Sequence, residues 1–287
     1  MSLRACLVVA VAVAIAACKG PAGRDAADLS VASAPRGCPA FPSGSVLVVG
    51  QRYQANGAAS SRTGMVAGFH RATDLPCTDS TMGTCVAIVS GPRDADAGLG
   101  PASFGAGTIS VTGGAMSIQQ APLPSASGTS YPMFQAMQAP WNGGETITVA
   151  AAGGDVPAFS TMLTAPAVLT VTAPAWPDGG PMTLSRADDL MVAWSGGGAG
   201  MVDVDLVGGS TATRAVEVHC RFPQSAGRGV VPAAMLASLP AASSGAALVY
   251  TSTTQTLTAG EWSVDVALET AAVDERSILF SYSVTFQ

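Results

Sequence analysis

Apolar and polar residues alternate through much of this chain with a period of two. In Val202-Asp203-Val204-Asp205-Leu206, and again in Trp262-Ser263-Val264-Asp265-Val266-Ala267-Leu268, every second residue is apolar. That is the pattern of a strand with one face buried and the other in water. Short alternating or apolar runs recur at residues 46–53, 65–70, 84–89, 109–112, 116–120, 146–150 and 168–172, and again at 190–194, 201–207, 215–222, 246–251, 262–268 and 278–286. Asn56-Gly57, Gly113-Gly114, Asn142-Gly143-Gly144 and Gly153-Gly154 lie between them. These are turn sequences, because Asn and Gly accept a positive φ at little cost. Strands and helices do not alternate; only residues 231–239, with Pro232 near the start, predict a helical turn. The pattern therefore predicts an all-β protein built from two β-sandwich domains of immunoglobulin-like type.

The clearest break inside the chain is Ala173-Pro174-Ala175-Trp176-Pro177-Asp178-Gly179-Gly180-Pro181, where prolines and paired glycines stop strands and helices alike. A first sandwich over residues 41–173 and a second over 174–287 follow from it. Residues 18–40 carry Ala, Gly, Ser, Pro and Asp without sustained periodicity and read as a tether. Residues 1–17 form a separate apolar leader.

Composition narrows the functional classes. Of the 287 residues, 48% are hydrophobic, enough to drive folding, while 11% are charged against about 25% in typical soluble proteins. The formal net charge is −6 and the one lysine is Lys19, so the surface repels phosphate backbones and nucleic acid is not expected as a partner.

Arg4 gives the leader a positive start, and Ala5 to Ala17 are uninterruptedly apolar but too few to span a bilayer as a helix. The run ends in Ile15-Ala16-Ala17-Cys18. This tetrapeptide resembles the lipobox of bacterial lipoproteins, which implies cleavage before Cys18 and acylation of its thiol. Ile15, Ala16 and Ala17 would be read by the signal peptidase. Lys19 in the second mature position, where inner-membrane retention resembles Asp, implies the outer membrane. Ala193-Trp194-Ser195-Gly196-Gly197-Gly198, His219-Cys220-Arg221-Phe222-Pro223 and Gly229-Val230-Val231-Pro232-Ala233-Ala234 are similar to segments of Gly- and Ala-rich exported lipoproteins from bacteria with GC-rich genomes. That group brings location and fold, with no activity to carry over.

Export places the remaining cysteines in an oxidising compartment, and Cys38, Cys77, Cys85 and Cys220 allow three pairings. Cys77 and Cys85 bracket a short polar segment, so a local Cys77–Cys85 bridge is the first choice. Cys38 and Cys220 are then left to each other or remain thiols, with Cys220 equally able to sit buried as a small hydrophobe.

Catalytic signatures are sparse. There are two histidines, His70 and His219, with no His-Glu-x-x-His and no Gly-x-Ser-x-Gly. His219 and Cys220 are neighbours on a strand, so their side chains should face opposite ways and not share an ion. Asp94-Ala95-Asp96-Ala97-Gly98 is only the opening of a calcium loop, and Asp203 and Asp205 are expected to be solvated on one strand face. No metal and no cofactor are expected. Trp194 and Trp262 fall in strands and should fill the core of the second domain, whereas Trp141 and Trp176, in Gly- and Pro-rich loops, are candidates for a contact surface. The sequence thus points to a non-enzymatic, lipid-anchored envelope protein whose partner is the membrane and an envelope protein or glycan. An exported hydrolase with a dispersed site is the alternative.

Overall fold

The computed structural model describes residues 42–55, 58–70, 77–82, 84–90, 103–125, 128–136, 141–175, 181–196, 198, 200–210, 214–241, 244–274 and 281–287. The lipobox, Cys38, the Asp94–Gly98 segment and Trp176 lie outside these residues. In chain order the strands are β1 (Ser43–Ala55), β2 (Ala58–His70), β3 (Cys77–Met82), β4 (Cys85–Ser90), β5 (Ile109–Gly113), β6 (Met116–Gln120), β7 (Leu123–Ser125), β8 (Gly128–Ala136), β9 (Thr146–Ala151) and β10 (Phe159–Thr164). They continue with β11 (Leu169–Ala173), β12 (Met182–Leu184), β13 (Leu190–Gly196), β14 (Met201–Ser210), β15 (Arg214–Pro223), β16 (Arg228–Val231), β17 (Ser244–Ala259), β18 (Trp262–Ala271), β19 (Val273–Asp274) and β20 (Ser281–Phe286). A short helix, α1 (Ala233–Leu236), follows Pro232, whose extended backbone forms its N-cap; the expected helical turn is there.

The all-β sandwich architecture is as expected, but the sheets do not divide at residue 173. A twelve-stranded sheet runs β3-β4-β15-β14-β17-β18-β1-β2-β8-β7, with β20 on β17 and β12 on β20. It mixes strands from both sides of the expected boundary: β1 lies parallel to β18, and β4 antiparallel to β15. Two four-stranded sheets, β10-β9-β5-β6 and β16-β13-β11-β19, complete the layers. Each closes a core against the large sheet. Ile109, Val111, Ile118, Ile147 and Val149 meet Val48, Met65, Phe69, Val264 and Leu268; Leu169, Val192, Trp194 and Val231 meet Val204, Leu206, Val218 and Val249.

Both cores lie along one face of the large sheet. Val249 and Leu257 share a face of the continuously paired β17, and they belong to different cores. Between the cores, the Thr251 hydroxyl donates to Ala167 O at 2.7 Å and the Thr270 hydroxyl to Pro166 O at 3.1 Å. The connection between the two small sheets is therefore hung on a seam of buried threonines that satisfies the Pro166 and Ala167 carbonyls.

Aromatic packing corrects two expectations. Trp262 fills the first core, not the second, with its ring centroid 5.4 Å from Phe104 and 6.4 Å from Phe69, because β18 pairs with β1. Trp194 is in the second core and donates its indole N–H to Gln224 O at 2.9 Å. Phe69 also lies where a Cβ on Gly44 would be, 2.2 Å from its Cδ1. Gly44 and Phe69 are direct cross-strand partners, so the ring covers a backbone that only glycine can expose.

Trp141 is no contact surface, being only 2% exposed. The Glu145 carboxylate accepts the backbone N–H groups of Asn142 and Gly143, each at 2.7 Å, and Arg52 donates to Trp141 O at 2.8 Å. The loop so held turns the indole inward, where its N–H reaches Thr270 Oγ1 at 2.6 Å. A glycine-rich loop suggested exposure, but a buried tryptophan with a hydrogen-bonded N–H is stable wherever tertiary structure supplies the acceptor.

The disulfide is Cys85–Cys220, not Cys77–Cys85. β3 and β4 form a hairpin in which Cys77 is opposite Ser90 and Met82 is opposite Cys85. Cys77 and Cys85 therefore stand at opposite ends of the hairpin, about 17 Å apart at the usual strand rise, beyond the roughly 7 Å a disulfide spans. What reads as a polar loop is a strand. Cys85 and Cys220 are in direct register on β4 and β15, with Cα atoms 4.0 Å apart.

Candidate functional site

The opposite face of the large sheet carries a buried polar cluster. In β14, Val202, Val204 and Leu206 enter the second core, so Asp203 and Asp205 project the other way; in β15, Glu217, His219 and Arg221 do the same. Register then pairs Asp205 with His219, Asp203 with Arg221, and Asp203 with Tyr250 of β17. Glu269 of β18 joins from the same face, in register with Ser252.

Asp203 and Asp205 are not solvated; they are 0% and 4% exposed. A carboxylate removed from water must be compensated by charge and hydrogen bonds. His219 supplies both, with Nδ1 2.5 Å from Asp205 Oδ1 and Nε2 3.2 Å from Asp203 Oδ1. Tyr250 donates its hydroxyl to Asp205 Oδ2 at 2.8 Å, and the Ser252 hydroxyl donates to Asp203 Oδ2. Arg221 brings Nε within 3.3 Å of Asp203 Oδ1 and donates from Nη2 to Ser252 Oγ at 2.8 Å. The contacts of Asp203 Oδ1 to His219 Nε2 and Arg221 Nε are ion-pair contacts whose angles fall short of hydrogen bonds.

Burial and charge set the protonation of the cluster. Burial alone would pull His219 down, but the Asp205 charge, the close Asp203 carboxylate and the hydrogen bond to Asp205 hold it well above the ordinary imidazole value. An imidazolium between two carboxylates is the result. Burial, then the Asp205 charge, pushes Glu217 up to about 7, with His219 opposing. Burial and the charges of Asp203 and Asp205 raise Glu269 well above the usual carboxylate range, against His219 and Arg221. Burial, followed by Asp205, likewise raises Tyr250.

These shifts share one sign. Each raised group holds its proton in the folded chain at a pH where the unfolded chain has released it, so folding takes up protons and stability falls as pH rises. For Glu217 the fall runs from about pH 4.5 to about 7; for His219 it starts near 6.5 and continues above it. The Glu217 share is on the order of 3 kcal/mol. In chelator-containing buffer, melting temperature is expected to be several degrees higher at pH 5 than at pH 8. A flat profile over that range would contradict a buried imidazolium and a protonated Glu217.

Chemically, the cluster can hold a proton or a cation; it is not arranged as a serine nucleophile. The Ser252 hydroxyl donates to Asp203, and both nitrogens of His219 face carboxylates. A triad would instead require the base to accept from the serine. His219 and Cys220 do face opposite sides of β15, as expected: one enters this cluster and the other the disulfide in the core. The sequence signal for the cluster was the Val-Asp-Val-Asp and Glu-Val-His-Cys-Arg alternation, but alternation does not reveal that both faces of these strands are covered. No protein-family model and no curated protein sequence matches this chain.

Proposed function

We propose that this is a lipid-anchored protein of the bacterial cell envelope, held by acyl chains on Cys18, with a β body that serves a binding or structural role. The reading is carried by Ile15-Ala16-Ala17-Cys18 at the end of an apolar leader, followed by a linker up to β1 at Ser43. The Cys85–Cys220 bond supports it, since a buried disulfide suits an oxidising compartment outside the cytoplasm. Each methylene of an acyl chain contributes about 0.8 kcal/mol on entering a bilayer, so two or three chains suffice to anchor the body. Lys19 favours the outer membrane, and the partner expected there is an envelope protein or glycan.

Cys18→Ala is expected to move the protein from the membrane to the soluble fraction, and mass spectrometry of the parent's mature terminus should show a diacylglyceryl adduct on Cys18. A variant that stays in the membrane fraction, or a parent with an unmodified terminus, overturns the anchor. An exported hydrolase is the second reading, prompted by His219 between two carboxylates, and turnover of an esterase, glycosidase or peptidase substrate that vanishes in His219→Gln would put it first.

A further inference from the structure

We propose that Asp205, Glu217 and His219 bind a divalent transition-metal ion of the zinc class on the second face of the large sheet. Their ligating atoms all lie within 4.8 Å of one another. The spacing follows from the strands: Glu217 and His219 are two apart on β15 and share a face, and Asp205 is the direct cross-strand partner of His219 on β14. Ligands on paired strands are held more rigidly than ligands on loops. This departs from the sequence-based expectation of no metal, which treated each acidic residue within its own segment.

Two further observations point to a cation. Asp203, Asp205, Glu217 and Glu269 are four carboxylates gathered with two cationic side chains, His219 and Arg221; without a metal, protons held on Glu217 and Glu269 balance the cluster, and with those protons released it is short of two positive charges. A divalent ion supplies that charge. Independently, Glu269 is 4% exposed and its Oε1 accepts no hydrogen bond, although its carboxylate interacts with Asp203, Asp205, His219 and Arg221. A bare buried acceptor on this face has to be offset by a proton or by a cation.

The donor set selects the class of ion. One imidazole and two carboxylates suit zinc or manganese better than calcium, which prefers six or more oxygens. The thiolates that would favour softer ions are withdrawn, because Cys220 faces the other way into its disulfide. Glu217 is only half-buried, so it stands on the solvent side of the cluster, where an ion would enter.

The test uses full-length protein in detergent, purified without a polyhistidine tag, stripped with a chelator and offered Zn2+, Mn2+ or Ca2+ singly. After desalting, elemental analysis is expected to find one Zn2+ per chain, with a rise in melting temperature. Glu217→Gln should weaken Zn2+ by about tenfold or more while the near-UV circular dichroism stays unchanged. His219→Gln should abolish retention, and His70→Gln should leave it intact. Since His219→Gln could unfold the cluster, Glu217→Gln carries the test. The proposal is overturned if the parent retains no stoichiometric Zn2+ or Mn2+, if Ca2+ is preferred, if Glu217→Gln binds as the parent does, or if His70→Gln is the variant that loses the ion.

Discussion

Replacing Cys85 and Cys220 together by alanine is expected to cost as much as about 5 kcal/mol of stability, because the bond closes a loop of 135 residues. In the chain-entropy picture, a cross-link between distant residues removes more freedom from the unfolded chain than a local one does. The bond joins β4 to β15 and lies within the second core, so its loss also leaves a small void there. For a chain of this size the melting temperature should fall by roughly 10–15 °C. Urea denaturation of the double variant, beside the parent with and without reductant, measures the effect. Reductant should lower the parent to the variant's level and leave the variant unchanged; a parent insensitive to reductant after unfolding and refolding, or a peptide map linking Cys77 to Cys85, would refute the assignment.

His219→Leu should cost about 3–5 kcal/mol in metal-free buffer at pH 7, since it leaves Asp203 and Asp205 buried without the cation between them. The cost belongs to the stranded carboxylates more than to the imidazole itself. Adding Asp205→Asn to His219→Leu is therefore expected to recover part of the loss, and the double-mutant cycle should show coupling of at least about 1 kcal/mol. Strictly additive effects would mean that the 2.5 Å contact between His219 Nδ1 and Asp205 Oδ1 contributes nothing.

The disulfide and the cluster were hidden in the sequence for the same reason. Cys77 and Cys85 are close along the chain, and proximity in sequence favours a local loop. The β3–β4 hairpin separates them, since Thr78 to Thr81 are strand residues of polar type, and polar strands carry little periodic signal. β10, read as no strand from the sequence, alternates Phe159, Thr161 and Leu163 inward, but lies outside the strand runs found by pattern. Asp203 and Asp205 alternate with valines as solvent-facing residues do. Their burial follows from the second face of β14 being covered as well, which a period of two cannot report. Trp141 shows the converse: its loop looks exposed, and an acceptor 129 residues away in sequence, Thr270 Oγ1, brings it inside.

From the sequence alone came many of the strands and the alternation of side chains within them, together with the leader, the lipobox-like tetrapeptide and the opposed directions of His219 and Cys220. These are local properties, set by pleating and by side-chain chemistry within a few residues. The tertiary structure decided which strands are neighbours: β1 beside β18, β4 beside β15, and one sheet running across the expected domain boundary. Neighbours and register are chosen by the joint burial of segments far apart in the chain. That choice joined Cys85 to Cys220, put Trp262 in the first core, and gathered Asp203, Asp205, Glu217, His219 and Glu269 on one buried face.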